Sequence, residues 1–144
     1  MWPREAQLEL VLINPGQEPI GVSVPEAKKE NLFLTIKQLR GEITNPRKRF
    51  TTSYLKPAKK LYEWTIKPLE SNLAAENIDT LLLCIGGGLR GLPAAALHDG
   101  EQFLIEKYAV AIIPAYNLTS ISYEGVKSSE VLAMGASEFT ELNP

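Results

Sequence analysis

The sequence predicts a mixed α/β fold, and three patterns carry that prediction. Between Gln7 and Val24, apolar residues alternate with polar ones on both sides of a Pro-Gly turn, as in a β-hairpin with one buried face. Between Glu26 and Ala75 they recur at spacings of three and four, the period of helices that bury a single stripe. Thr80–Ile85 is an almost unbroken apolar run, TLLLCI, which reads as a strand buried on both faces.

The hairpin spans about residues 7–24. Leu8, Leu10 and Leu12 form one arm and Ile20, Val22 and Val24 the other, joined across Asn14-Pro15-Gly16-Gln17. Proline and then glycine at the two central positions suit a tight turn. Pro25 ends the second strand. A first helix is expected over about 26–44, with Glu26 and Glu30 in its opening turns, where negative charge suits the helix dipole. Leu32, Ile36, Leu39 and Ile43 form its apolar stripe. It should stop near Thr44-Asn45-Pro46, because the residue before proline disfavours helical angles.

A second helix is expected over about 57–75. Ala58, Leu61, Thr65, Leu69 and Leu73 share one face, widened by Tyr62 and Ile66. Pro68 interrupts it and predicts a kink or break one or two residues earlier. Asn77-Ile78-Asp79 leads into a central strand over about 80–85. After Gly86-Gly87-Gly88, Leu92–Leu97 has room for little more than one helical turn, begun by Pro93. His98-Asp99-Gly100-Glu101 reads as a tight reversal. Sheet strands follow over about 103–114, a short one at Phe103–Glu106 and a longer one at Tyr108–Pro114. Asn117–Tyr123 reads as a loop, and a last strand is expected over about 130–136. The predicted whole is a mixed sheet with an N-terminal hairpin and two helices, in one domain covering 1–144.

Composition narrows the functional classes. The 144 residues are 44% hydrophobic and 22% charged, ordinary for a globular chain that buries roughly two-thirds of its unfolded surface. The formal charge of −2 gives nucleic acid no long-range reason to approach. Pro46-Arg47-Lys48-Arg49 and Lys56, Lys59 and Lys60 read as solvated loop and helix surface. One cysteine and one histidine rule out an internal disulfide and a zinc site built on those ligands alone. No run approaches the ~20 apolar residues that span a bilayer, and Met1-Trp2-Pro3-Arg4 does not open a signal peptide. No membrane partner and no cofactor are expected, and a cytoplasmic location is the default.

The candidate ligand loop is Gly86, Gly88 and Arg90, followed by His98 and Asp99. Gly86-Gly87-Gly88-Leu89-Arg90-Gly91 satisfies G-x-G-x-x-G directly after a strand, the pattern that lets a backbone approach a pyrophosphate. That chemistry needs a long helix next, whose N-terminus supplies donors and dipole. Pro93 and His98-Asp99-Gly100 leave room for one turn, and the acidic residue expected about twenty positions on would be Glu106, not at a strand end. A structural glycine turn is the stronger reading. Cys84 lies mid-strand among leucines, where burial raises a thiol's pKa and makes it inert. His98 reads as a turn histidine bonded to backbone, and Arg90 as a side chain that snorkels or pairs with a carboxylate, with a ligand contact as the lesser reading. Ser71, Ser120 and Ser137 have no neighbouring base. No catalytic residue is assigned.

Several segments together resemble a known family. They are Leu61-Tyr62 with Ile66-Lys67-Pro68-Leu69-Glu70, then Ile78-Asp79-Thr80-Leu81, then Leu89-Arg90-Gly91-Leu92-Pro93. Ala95-Ala96-Leu97-His98-Asp99-Gly100, Phe103-Leu104-Ile105-Glu106-Lys107-Tyr108 and Val131-Leu132-Ala133-Met134-Gly135-Ala136-Ser137 complete the set. They resemble the N-terminal half of a CHAT domain, the caspase-like family often joined to tetratricopeptide repeats or secretion modules. The resemblance implies an incomplete caspase-like α/β sandwich. It also implies that the family's His-Gly and nucleophilic cysteine lie downstream of the matching segment, with Val131–Ala136 as the first core strand. The chain departs from the pattern at Gly86-Gly87-Gly88, where many relatives carry Asp-Gly or Asp-x-Gly, and near Ala94, where they carry a bulkier residue.

The expected function is therefore that of a non-catalytic N-terminal portion of a CHAT domain, supporting a downstream cysteine-peptidase-like core. It is not an enzyme as given, and its parent would be a cysteine endopeptidase. The partners implied are the remainder of its own domain, tetratricopeptide-repeat or other parent domains, and a second copy through an exposed sheet edge. A stand-alone protein-interaction module is the alternative reading, and a dinucleotide-binding domain ranks below both.

Overall fold

A computed structural model of the chain describes residues 1–3, 7–86 and 89–115. Its element order is β1 (Trp2–Pro3), β2 (Leu8–Leu12), β3 (Ile20–Val24), α1 (Lys29–Thr44), α2 (Leu55–Thr65), α3 (Glu70–Ala75), β4 (Thr80–Cys84), α4 (Leu104–Lys107) and β5 (Ala109–Ile113). The fold class is mixed α/β, as the patterns predict. The strands divide between an antiparallel sheet, β1-β2-β3, and a parallel pair, β4-β5. The expected strand 130–136 and loop 117–123 lie outside the described residues.

The hairpin keeps the predicted register, with Leu8 opposite Val24, Leu10 opposite Val22 and Leu12 opposite Ile20. Its turn closes with Gln17 N–H donating to Asn14 O at 3.1 Å. Gly16 sits at φ +80°, the second central position of a type II turn with Pro15 at the first. A side chain at Gly16 would meet open space, so Gly16→Ala costs only its backbone strain, about 1 kcal/mol. Thermal unfolding should show a modest drop in Tm with the native spectrum retained.

The first helix begins three residues later than expected. Pro25-Glu26 forms a turn instead, closed by Ala27 N–H to Val24 O at 3.1 Å, and this leaves Glu26 outside the helix and Glu30 alone in its first turn. The helix ends where proline predicts: Asn45 is extended, at φ −84° and ψ 113°. The expected second helix is two. After Thr65 the chain passes through Ile66, at φ −116°, into a 3-10 turn at Lys67–Leu69 and then α3. Pro68 has no N–H to continue the first ladder, so the break falls where the sequence places it. The chain then leaves α3 through Asn77, at φ +50°. Ile78 N–H bonds Leu73 O at 3.0 Å and Asn77 N–H bonds Ala74 O at 3.2 Å, a Schellman stop with asparagine in the left-handed position.

One core joins these pieces. Leu8, Leu10 and Val24 of the hairpin meet Leu32, Ile36 and Leu39 of α1, the Leu61 and Tyr62 face of α2, and Leu81, Leu97 and Leu104 beyond. Ile43, at the end of the predicted α1 stripe, is 44% exposed. Nor is β4 covered on both faces, as its composition predicts. Leu81 is buried, but Leu82 on the opposite face is 46% exposed. Apolar composition cannot by itself show which layer of structure covers a face.

Phe103–Glu106 is not a strand. Glu106 accepts the Phe103 N–H at 2.6 Å and Tyr108 N–H bonds Leu104 O at 2.9 Å, so the segment closes into the single turn of α4. Only Phe103 keeps a strand-like link, an isolated antiparallel bridge to His98. The chain then enters β5, parallel to β4, with Leu81 opposite Val110 and Leu83 opposite Ile112.

Candidate functional site

Among the described loop residues, no hydrogen bond joins Gly86 or Arg90 to His98 or Asp99. Gly86 follows β4, and its N–H donates to Met1 O at 3.4 Å. Arg90 is exposed in a 3-10 turn, Leu89–Gly91. Gly88 lies outside the described residues. A second 3-10 turn, Ala94–Ala96, follows. Three-residue turns present no aligned column of amide donors, and the phosphate-binding reading of the glycine motif lacks the helix it needs. Gly91 instead lets Arg40 of α1 come close, since a Cβ there would stand 2.7 Å from its guanidinium.

His98 and Asp99 build the reversal that the sequence places at 98–101. His98 is buried. Its Nδ1 accepts the Gly100 N–H at 2.9 Å, and its ring meets Phe103 edge-on at 4.9 Å. Gly100 takes φ +124°, an angle glycine alone adopts without strain. Asp99 Oδ1 accepts from Glu101 N at 2.7 Å and Gln102 N at 2.8 Å, an Asx turn. Cys84 is half-buried rather than sealed in a core, and its thiol points to Pro114 O at 3.8 Å.

The most concentrated polar chemistry joins one candidate, Asp99, to three residues outside the candidate set. Lys107 Nζ donates to Glu70 Oε1 at 2.7 Å, Asp99 Oδ2 at 3.1 Å and the Tyr62 hydroxyl at 3.2 Å. Tyr62 donates in turn to Glu70 Oε1 at 2.8 Å. Four elements meet at one ammonium: α2, α3, the His98 reversal and α4. Tyr62 is the signal that could have revealed it. Its ring belongs to the buried stripe, and a buried phenol needs a partner for its hydroxyl.

The electrostatics favour the charged pairing. The hydrogen bond to Glu70 is the largest influence on Lys107 and raises its pKa against the opposing effect of burial. Lys107 and then Tyr62 hold Glu70 below the ordinary carboxylate value. Burial, followed by Glu70, pushes Tyr62 up to about 12. At Asp99 burial pulls upward, but the Gln102 and Glu101 N–H groups and then Lys107 overcome it and hold the carboxyl at about 2. None of the four is poised to exchange a proton near neutral pH, so the arrangement works as a brace.

Because Asp99 is depressed from 3.8 to about 2, its contribution is present above pH 4 and is lost as pH falls through that interval. Asp99→Asn keeps an oxygen for the turn amides but loses the ion pair. It should cost about 1 kcal/mol at pH 7, after discounting for solvent screening. It should also flatten the fall in stability between pH 4 and 2. Urea unfolding followed by circular dichroism at several pH values reads both effects.

Among the described residues, no group of histidine, cysteine, aspartate and glutamate could hold a metal ion. No described helix is long and apolar enough to cross a membrane. No curated protein and no solved structure matches the chain. The family model described as CHAT domain matches residues 55–143, the span that contains the Lys107 brace, the His98 reversal and the parallel pair. With well over half of its length matched, the chain belongs to the CHAT domain family.

Proposed function

We propose that this chain is the non-catalytic N-terminal portion of its CHAT domain and supports the cysteine-peptidase-like core of the same domain. The observation that carries this reading is the bare face of the parallel pair. Leu82, Cys84, Ala109 and Ala111 share one side of β4 and β5, with Leu82 46% exposed and both alanines exposed. Parallel sheets are stable when both faces are covered, so this face requires a further layer. The histidine and the cysteine fit the same view. His98 commits Nδ1 to its turn, Cys84 points to a backbone carbonyl, and thiol–imidazole hydrolysis needs a thiolate within reach of a free base.

The test is to mix the chain with a separately produced CHAT core segment carrying the His-Gly and cysteine strands. A one-to-one complex by light scattering, lost on Leu82→Asp, is the expected result. The reading is overturned by a failure to associate, or by peptide hydrolysis by the chain alone that Cys84→Ser abolishes.

A further inference from the structure

Between α1 and α2 the chain makes a 3-10 turn, Pro46–Lys48, and then holds Phe50 out into water. Phe50 is 95% exposed, more than any other large apolar side chain among the described residues. Ile43, in the last turn of α1, and Pro46 are exposed just before it. Arg47 and Arg49 flank this tip and Lys56 follows in the first turn of α2, all three exposed. From Ile43 to Tyr62 the sequence holds six lysines and arginines and no acidic residue. Among the described residues no carboxylate pairs with Arg47, Arg49 or Lys56. The Arg49 guanidinium stands over the Phe50 ring at 5.7 Å.

The tip is held in place by its own bonds. The Glu42 carboxylate accepts from Lys48 Nζ at 2.5 Å and from the Ser53 hydroxyl. Arg47 N–H donates to Asn45 Oδ1 at 3.0 Å, and the Thr51 hydroxyl donates to Lys48 O at 2.9 Å. Glu42 and Lys48 are thus engaged with each other at the base, while the arginines and the aromatic ring point away from them. Solvation accounts for the cations alone, because Phe50 gains nothing from standing in water.

We propose that this tip is a membrane-surface anchor, in which Phe50 enters the headgroup region of an anionic bilayer and Arg47, Arg49 and Lys56 pair with the lipid phosphates around it.

Apolar side chains ringed by cations bind such a surface by immersing the one and pairing the other, without crossing the bilayer. That no described helix can span a membrane bears on crossing and leaves surface attachment open. The formal charge of −2 does not oppose it either. Charges farther than about 8–10 Å from the contact are screened at physiological salt, so the lipid meets the acid-free stretch. Scale and geometry favour lipid over other anions. A specific protein interface draws on roughly 20–30 residues a side, and this tip offers six. Single-stranded nucleic acid stacks successive bases on several aromatic rings, whereas here one ring stands alone and already carries Arg49 on its face.

The test is co-sedimentation of the chain with vesicles of phosphatidylcholine containing about one-third phosphatidylglycerol, against phosphatidylcholine alone, at about 0.1 M salt. Each cation beside an anionic surface is worth roughly fivefold, so the three should favour the anionic vesicles by about a hundredfold. Arg47→Gln with Arg49→Gln should weaken binding about twenty-fold, and Phe50→Ser about tenfold. Both variants should keep the parent's Tm, since the replaced side chains lie in water. Phe50→Trp should bind as the parent does and add an emission that shifts to the blue on anionic vesicles. Leu82→Asp, on the face of the parallel pair, should bind vesicles unchanged, and a loss there overturns the assignment to the tip. Equal binding to both vesicles overturns the proposal, as does no binding to either. So does anionic binding that Phe50→Ser leaves intact, which would be adsorption by charge alone. Binding of oligothymidylate or polyglutamate in place of vesicles overturns it in favour of nucleic acid or an acidic protein.

Discussion

Replacing Lys107 with methionine should lower the unfolding free energy by about 2 kcal/mol at pH 7. Removing one partner of a fully buried ion pair costs about 3–5 kcal/mol, because the other charge is left without compensation. Here the side chains of Lys107, Glu70 and Asp99 are 19%, 35% and 16% exposed, so water recovers part of that loss. Methionine keeps most of the stem and its packing, which isolates the charge. The deficit should narrow as pH falls below about 4, where the two stranded carboxylates gain protons and no longer need a cation. Adding Glu70→Gln and Asp99→Asn to the methionine variant should restore about half of the loss, since the stranded charges are then absent. Urea unfolding at pH 7 and pH 3.5 measures each step. A Lys107→Met protein as stable as the parent would show that the four elements are held by apolar packing alone.

The brace illustrates what the sequence could and could not reveal. Short-range patterns were legible because their causes are local. Alternation set the hairpin register, Pro15-Gly16 set its turn, and Pro68 set the break between α2 and α3. His98-Asp99-Gly100 marked a reversal because a polar side chain can bond backbone two residues on and glycine can take a positive φ. The brace draws on Tyr62, Glu70, Asp99 and Lys107, which are distant in sequence and have no spacing that marks them as partners. β1 has no signature in the sequence because two residues, one of them proline, carry no period. Phe103–Glu106 was misassigned because four apolar-rich residues fit a strand or a helix equally well, and the Glu106 cap settled the matter. The exposure of Leu82 and Cys84 was hidden for a related reason: an apolar run shows that a strand is fit for burial, while its neighbours decide whether it is buried.

Leu39 and Ile43 turn that distinction into a measurement. They stand four residues apart on one predicted stripe of α1, and periodicity assigns them equal weight. In the fold Leu39 is 0% exposed and Ile43 is 44% exposed, because the last turn of α1 runs past the core before Asn45 and Pro46 end it. Leu39→Ala therefore removes a side chain that is wholly enclosed and leaves a cavity. It should cost about 3 kcal/mol, within the range for buried leucines. Ile43→Ala removes groups already half in water and gives a residue of better helix propensity, so its cost should stay within about 0.5 kcal/mol. Urea unfolding of the two variants side by side decides the point. Equal losses would mean that the helix packs along its full stripe, with its last turn seated on the core that the rest of α1 covers.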